Sequence, residues 1–121
     1  MAPKYLKIEE KIREKLSKEL ETNLKKSRVQ ILPNVEHEFD GVSQNQDILV
    51  EIKASKVPEK GKLRHTQLAE MCEASLLLLS IKDAEKRILA IADENFYEKF
   101  RNTMQGKAAE HLGIKIMLVT V

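Results

Sequence analysis

The chain has 121 residues, of which 42% are hydrophobic and 33% are charged, a balance typical of one folded domain and not of a disordered chain. Its net charge of +2 does not by itself indicate a partner, and its single cysteine excludes an internal disulfide. Because it shows neither a signal-peptide segment nor an apolar run of membrane length, we expect one intracellular, cytoplasmic domain over residues 1–121 without a membrane partner.

The first predicted element is an amphipathic helix from about Lys4 to Lys26. Apolar residues recur every four positions along it: Ile8, Ile12, Leu16, Leu20 and Leu24. Such a stripe buries one helical face against the core of the chain or against a partner. A second copy of this small chain is one such partner, so the helix is also a candidate interface for a homodimer.

Two strands are predicted next, because the sequence after Pro33 and Asn34 alternates with period 2. The strands cover Val35–Val42 and Ile48–Ala54, and a polar turn joins them as a hairpin. In the second strand, Glu51 and Lys53 share one face, and Ile48, Val50 and Ile52 share the other.

A second helix is predicted from about Lys62, with Leu68, Met71, Cys72 and Ser75 on one face. Its end stays open, because Ser75–Ile81 fits either the last turns of this helix or a short separate strand.

The remaining sequence predicts a strand, a helix and a final strand. The strand Arg87–Ala92 is apolar enough to lie inside a sheet, and the helix runs from about Phe96 to His111. Asp93 or Asn95 would cap this helix, and Gly113 would end it before the strand Ile114–Val121. The order α-β-β-α-β-α-β, with an optional further strand before Arg87, indicates a mixed sheet with helices on its faces.

Asp40, Glu51 and Lys53 are the candidate site residues, because strand geometry would bring them together. With Asn45 and Gln46 as a two-residue loop, the hairpin pairs Asp40 with Glu51, and their Cβ atoms would lie roughly 4.5–5.5 Å apart. Two carboxylates at this spacing repel unless a cation neutralises them, and Mg²⁺ commonly binds one or two carboxylates with waters and a phosphate. Together with a lysine, this set suits metal-assisted attack of water on a phosphodiester.

Ordinary surface charges are the alternative interpretation of the same residues. The tripeptide Glu9-Glu10-Lys11 shows the same acid-x-Lys pattern on a predicted helix, and alternating charges are common on exposed strands. What favours a site is the position of the motif on a strand with an apolar opposite face, after a hairpin turn.

The two strand sequences, HEFDGV from 37 to 42 and ILVEIKA from 48 to 54, resemble the PD-(D/E)XK superfamily of restriction endonuclease-like nucleases. The later segments RILAIADENF and GIKIMLVTV resemble the closing β-α-β unit of Mrr-type members. The resemblance implies an α/β fold, a restriction endonuclease-like mixed central β-sheet flanked by helices. The chain departs from the family pattern at Phe39, where the family places proline before the aspartate.

The resemblance also implies a Mg²⁺- or Mn²⁺-dependent deoxyribonuclease that acts on DNA as an endonuclease. Asp40, Glu51 and the backbone carbonyl of Ile52 would bind the metal, and Lys53 would assist the attacking water. Glu9 on the first helix is the candidate for a further acidic ligand, with a solvated helix charge as the alternative.

Basic and polar residues that follow Lys53 are candidates for contacts with DNA phosphates. They are Lys56, Lys60, Lys62, Arg64, His65 and Gln67. A solvated loop, and for Gln67 an ordinary surface side chain, is the alternative.

Three functions therefore stay open. The first is the active nuclease, the second is a non-catalytic nucleic-acid- or protein-binding module of the same fold, and the third is an unrelated α/β interaction module. The structure of the DNA substrate, its sequence specificity and the biological pathway have no signal in the sequence.

Overall fold

A five-stranded mixed β-sheet organises the chain, and the computed structural model describes residues 3–121 of it. The helices and strands follow one another as α1 (Lys4–Glu19), β1 (Lys25–Leu32), β2 (Val35–Val42), β3 (Ile48–Lys53), α2 (His65–Ser80), β4 (Lys86–Ile91), α3 (Glu94–Arg101), α4 (Met104–His111) and β5 (Ile114–Leu118).

The strands lie in the sheet in their order along the chain, β1-β2-β3-β4-β5. The pairs β1/β2 and β2/β3 are antiparallel, whereas β3/β4 and β4/β5 are parallel. Each parallel connection contains helix, as such crossovers require. The expected α/β class, with a mixed sheet flanked by helices, is thereby confirmed.

Strand alternation divides the apolar side chains into two cores, one on each face of the sheet. On one face, Leu49, Leu89 and Ile91 pack with residues of α2, α3 and α4. On the other face, Val50 and Ile88 pack with α1. Residues of β3 and β4 are buried on both faces, which explains the nearly continuous apolar sequence of these strands.

The N-terminal helix is shorter than predicted, and the segment after it forms a strand that the sequence analysis missed. Helix α1 ends at Glu19, and the residue Glu21 has a left-handed φ of 53° as the chain turns. The Ser17 hydroxyl accepts a hydrogen bond from the backbone N–H of Leu24 at 3.1 Å, which fixes this turn. Leu24 continues the four-residue spacing only because it enters the same core from the strand side.

Helix α1 uses its apolar stripe within the chain. Ile12 and Leu16 are fully buried against the sheet, and Ile8 and Leu20 pack at the edge of the same core. The face that could have served as a homodimer interface is therefore already covered.

The predicted strand Val35–Val42 is confirmed with both its ends as β2, and the hairpin with β3 is confirmed as antiparallel. Strand β3 ends at Lys53, one residue before the predicted end. The Pro33 and Asn34 pair marks a break between two strands. It forms the turn between β1 and β2, where Asn34 adopts a φ of 66°, a conformation that asparagine tolerates.

Helix α2 begins at His65, three residues later than predicted, and continues to Ser80. The segment whose structure was open is therefore helical, and Ile81 caps its end. The buried face consists of Gln67, Met71, Ala74, Ser75 and Leu78, so Cys72 and Leu68 lie at its margin and not at its centre. Within the described residues, no helix is long and apolar enough to cross a membrane.

The single helix predicted from Phe96 to His111 is divided into α3 and α4 at Asn102 and Thr103. Asp93 caps α3 as expected, since its Oδ2 accepts from the backbone N–H of Phe96 at 3.0 Å. Thr103 begins a new helix in the same way, because its Oγ1 accepts from the backbone N–H of Gly106 at 2.9 Å. The N-cap at Thr103 therefore divides a segment that the sequence pattern predicts to be one continuous helix.

Gly106 should not tolerate a side chain, although a glycine inside a helix is usually improved by alanine. A Cβ at this position would collide with the carbonyl oxygen of Phe100 and lie 3.1 Å from Cα of Arg101. We expect Gly106→Ala to lower the free energy of unfolding by about 1–3 kcal/mol in urea denaturation, the usual range for overpacking. The exposed neighbour Lys107 provides the control Lys107→Ala, which should leave stability nearly unchanged. A stabilised Gly106→Ala variant would contradict the close contact between α3 and α4.

Candidate functional site

Strands β2 and β3 separate next to the candidate residues. Their hydrogen-bonded ladder covers the pairs Gly41↔Val50 and Val42↔Leu49. One residue further along, Oδ2 of Asp40 accepts a hydrogen bond from the backbone N–H of Ile52 at 2.8 Å. The aspartate side chain therefore takes the place of a strand partner at the point where the two backbones move apart.

A β-bulge in β2 causes this separation. Lys25 pairs with Val42 and Ser27 pairs with Phe39, so the single residue Lys26 lies opposite both Asp40 and Gly41. The extra residue reverses the alternation, and Phe39 and Val42 consequently reach the same core. Gly41 suits the bulge, because an added Cβ would lie 3.2 Å from Cβ of Val50.

The predicted register is confirmed for Val42 and Leu49, but the pairing of Asp40 directly opposite Glu51 does not belong to the ladder. The prediction assumed uninterrupted alternation, and the bulge breaks it. Asp40 instead reaches the backbone of Ile52, the residue after Glu51. The two carboxylates are nevertheless close enough for the negative charge of Asp40 to raise the pKa of Glu51.

Among residues 3–121, Glu51 is the only buried residue with a charged side chain, and 6% of its surface is exposed. Burial is the main cause that raises its pKa from 4.5 to about 7, and the negative charge of Asp40 adds to the effect. The contact of its Oε1 with Nε2 of His37, at 3.2 Å, and the positive charge of Lys53 oppose this rise in pKa. A carboxyl group with a pKa near 7 changes charge under physiological conditions.

Asp40 is half-buried, and burial is also the main cause that raises its pKa. The hydrogen bond from the N–H of Ile52 opposes the rise, whereas the neighbouring carboxylate of Glu9 adds to it. Glu9, the acidic residue predicted on the first helix, therefore does lie beside Asp40.

Two basic residues surround Glu9 and were not identified as site residues from the sequence. Arg13 and Lys26 contact Oε1 of Glu9 at 3.4 Å and 3.3 Å, and Arg13 also donates to the backbone oxygen of Asp40 at 3.0 Å. Partial burial alone would lower the pKa of Lys26, but Glu9, together with Asp40 and Glu38, raises it. Lys26 was missed because it was assigned to the end of a helix, while it lies on β1 opposite the bulge.

Lys53 lies on the same face of β3 as Glu51, as the strand alternation predicts. Both residues line a small cleft of about 120 Å³ between the sheet and α2. The other side chains that line this cleft are His37, Glu70, Glu73, Ala74 and Leu77. The structure thus brings Lys53, Glu51 and His37 together, with Asp40 next to Glu51 and Glu9 behind Asp40.

The basic loop follows β3 directly, and five of its candidate residues are exposed: Lys56, Lys60, Lys62, Arg64 and His65. Gln67 differs, because it is 4% exposed. Its Oε1 accepts from the backbone N–H of Arg64 at 3.0 Å, and its Nε2 donates to the oxygen of Lys56 at 3.3 Å. Gln67 therefore holds both ends of the loop in place and does not face solvent, which argues against its candidacy as a DNA contact and against the alternative of an ordinary surface side chain.

A divalent cation at this site would depend on Asp40 and Glu51 for its side-chain ligands. In the arrangement of residues 3–121, no group of three or more His, Cys, Asp or Glu side chains converges on one metal position. Asp40 uses Oδ2 for Ile52, and Glu51 uses Oε1 for His37, so each keeps its other oxygen for a further partner. Two carboxylate oxygens, completed by waters and a phosphate, suffice for Mg²⁺.

Comparison with known proteins gave no match, whether to protein-family models, to curated protein sequences or to solved structures. The functional assignment therefore depends on the geometry and electrostatics of the site.

The raised pKa of Glu51 predicts a specific dependence of stability on pH. The folded state binds the proton more tightly than the unfolded state between pH 4.5 and about 7, so wild-type stability should fall as pH rises through this range. We expect the free energy of unfolding of the wild type, compared with that of Glu51→Gln, to fall by roughly 3 kcal/mol by pH 8, as measured by urea denaturation in EDTA. Glu36→Gln changes the same type of side chain at an exposed position on β2 and serves as the control. A difference in stability between the wild type and Glu51→Gln that stays constant with pH would contradict the raised pKa of Glu51.

Proposed function

We propose that the chain is a metal-dependent DNA endonuclease of the PD-(D/E)XK, restriction endonuclease-like type. Asp40 and Glu51 would bind Mg²⁺ or Mn²⁺, and Lys53 would serve the attacking water. The observation that carries the proposal is the pair of neighbouring, largely buried carboxylates, in which Asp40 raises the pKa of Glu51. Such a pair is unfavourable without a counter-charge, and groups with strongly shifted pKa values concentrate at functional sites.

The role of each protein group follows from its position. The bound cation would polarise the phosphodiester and the attacking water. Asp40 would present a carboxylate oxygen from the bulge of β2, and Glu51 would present one from the buried centre of β3. The ammonium group of Lys53, on the same face, would orient the water or stabilise the negative charge that develops on the phosphate.

Two further groups of the family pattern lie near the pair. Glu9 lies beside Asp40, where its carboxylate could join the metal shell through water, although Arg13 and Lys26 already neutralise it. The backbone carbonyl of Ile52 belongs to the residue whose N–H binds Asp40. Both positions are therefore consistent with a metal site centred on Asp40 and Glu51.

The position of the basic loop supports DNA as the substrate. Ligands of open α/β sheets bind beyond the carboxyl ends of parallel strands, and Lys53 and Ile91 end the parallel strands β3 and β4 side by side. The exposed lysines and Arg64 of the loop begin three residues beyond this edge. A DNA strand whose phosphates contact these side chains would extend toward the carboxylates of Asp40 and Glu51.

Cleavage of plasmid DNA with Mg²⁺ or Mn²⁺ tests the proposal. We expect cleavage to require the metal and to fall at least about a hundredfold in Asp40→Asn, Glu51→Ala and Lys53→Ala, the usual scale for loss of a catalytic group. Glu85→Ala and Lys86→Ala remove the same types of charge from exposed positions at the opposite end of β4 and serve as controls. Cleavage that persists in EDTA, or that Glu51→Ala retains in full, would refute the metal mechanism.

A non-catalytic nucleic-acid- or protein-binding module of the same fold is the second candidate. One observation favours it: the contact between Glu51 and His37 and the hydrogen bond between Asp40 and Ile52 provide partners within the protein. Within residues 3–121, no buried side-chain nitrogen or oxygen lacks a hydrogen-bond partner. This candidate predicts DNA or protein binding without cleavage and no heat of Mn²⁺ binding in calorimetry.

The basic loop yields a prediction that is independent of cleavage. Each phosphate contact that is lost reduces the slope of log K against log salt by about 0.9. We expect the double variant Lys60→Ala/Lys62→Ala to reduce this slope by roughly 2 in fluorescence anisotropy with duplex DNA. Lys107→Ala/Lys115→Ala removes two equally exposed lysines elsewhere and should leave the slope unchanged. Equal slopes for both double variants would exclude the loop as the DNA contact.

A further inference from the structure

We propose that His37 is a positioning residue of this site, which holds one carboxylate oxygen of Glu51 so that the other is presented toward the cation beside Asp40. The inference rests on the proposed function, because it assigns to His37 a part in organising the same metal site. No part in the site was predicted for His37 from the sequence, since its strand face also carries Val35 and Phe39.

The bulge of β2 places His37 for this role. Because alternation reverses between Phe39 and Val42, His37 and Phe39 lie on the α2 face of the sheet, which is the face of Glu51. The Nε2 atom of His37 lies 3.2 Å from Oε1 of Glu51. The Glu51 side chain is 8% exposed and the His37 side chain is 29% exposed, so the contact is largely shielded from water.

The imidazole ring is itself held in place. It meets the ring of Phe39 edge to face, with 4.7 Å between the centroids and 88° between the planes. Phe39 is fully buried, and Val29, the cross-strand neighbour of His37, is 3% exposed. Such packing restricts the rotamers of the histidine, which makes its Nε2 a fixed point for the carboxylate.

Of the three acidic residues that line the cleft, Glu51 is the one that His37 contacts by a hydrogen bond. The acidic residues Glu70 and Glu73 of α2 line the same cleft, but within the described residues His37 makes its hydrogen bond to Glu51. Glu70 and Glu73 are exposed and lie on the helix side of the cleft. The arrangement therefore orients the buried carboxylate of β3.

Orientation matters here because so few protein ligands are available. A glutamate side chain has three rotatable bonds, and fixing it costs roughly 1.5–2 kcal/mol of rotamer entropy. Because two carboxylates are the protein ligands, this entropy cost would weaken metal binding unless another residue fixes the Glu51 side chain before the metal binds. Hydrogen-bond partners of metal ligands typically change affinity or activity 10- to 100-fold when they are removed.

Two substitutions separate this role from a general role in folding. The side-chain amide nitrogen of glutamine reaches about as far from the backbone as Nε2 of histidine, whereas that of asparagine corresponds to Nδ1. We expect His37→Asn to weaken Mn²⁺ binding 10- to 100-fold in isothermal titration calorimetry. His37→Gln should restore binding to within about threefold of the wild type. Urea denaturation of the metal-free proteins should give similar stabilities for the two variants.

A measurement without metal completes the test. In the metal-free protein, NMR scalar couplings of the Glu51 side chain should report one rotamer in the wild type and in His37→Gln, and rotamer averaging in His37→Asn. An unchanged rotamer in His37→Asn, or Mn²⁺ affinity that equals that of the wild type in both variants, would overturn the role of His37 alone. Absence of Mn²⁺ binding by the wild type itself would instead overturn the proposed function and the role of His37 together.

Discussion

The hydrogen bond from the backbone N–H of Ile52 to the carboxylate of Asp40 is the constraint on which the site depends. A strand in the middle of a sheet must satisfy its backbone groups, and β3 loses its β2 partner beyond Val50. Asp40 supplies the missing acceptor at 2.8 Å, so the strands can part without leaving a buried N–H unpaired. The opening that results is where Glu51 and Lys53 face α2 and where Asp40 comes close to Glu51.

The charges around this opening are balanced by residues from α1, β1 and β2. Arg13 of α1 and Lys26 of β1 neutralise Glu9, while His37 of β2 contacts Glu51. Each contact ties a separate element to the same small region. The folded chain thereby concentrates acidic groups that would otherwise repel, and burial, together with the neighbouring carboxylates, raises the pKa of both Asp40 and Glu51.

Much of the architecture was predictable from local patterns, and the deviations have physical causes. Alternation with period 2 identified β2 and β3, and continuous apolar segments identified β4 and β5, because the burial of strand faces determines which positions carry apolar residues. The strand β1 was missed because Leu24 continued the helical spacing of α1, while its burial arises from the other side of a turn. Glu51 and Lys53 share one face of β3 as expected, and Asp40 lies beside Glu51. The bulge, and with it the positions of Lys26 and His37, has no signal in single-residue alternation. Glycine at position 41 is the one hint, since it suits a bulge.

The bulge also determines where this chain could change length during evolution. Residues 44–46 form the exposed tip of the turn outside the strand ladder, so a residue gained or lost there would leave the side chains of both strands on their present faces. Between Phe39 and Val42, however, the extra residue is what returns the strand to its proper face after Asp40. A deletion at that point would move the side chains along half of β2 to the opposite face of the sheet, and His37 would no longer lie beside Glu51. Tolerance of insertions and deletions should therefore differ sharply between two segments only a few residues apart, with the strand constrained by the site and the loop nearly neutral.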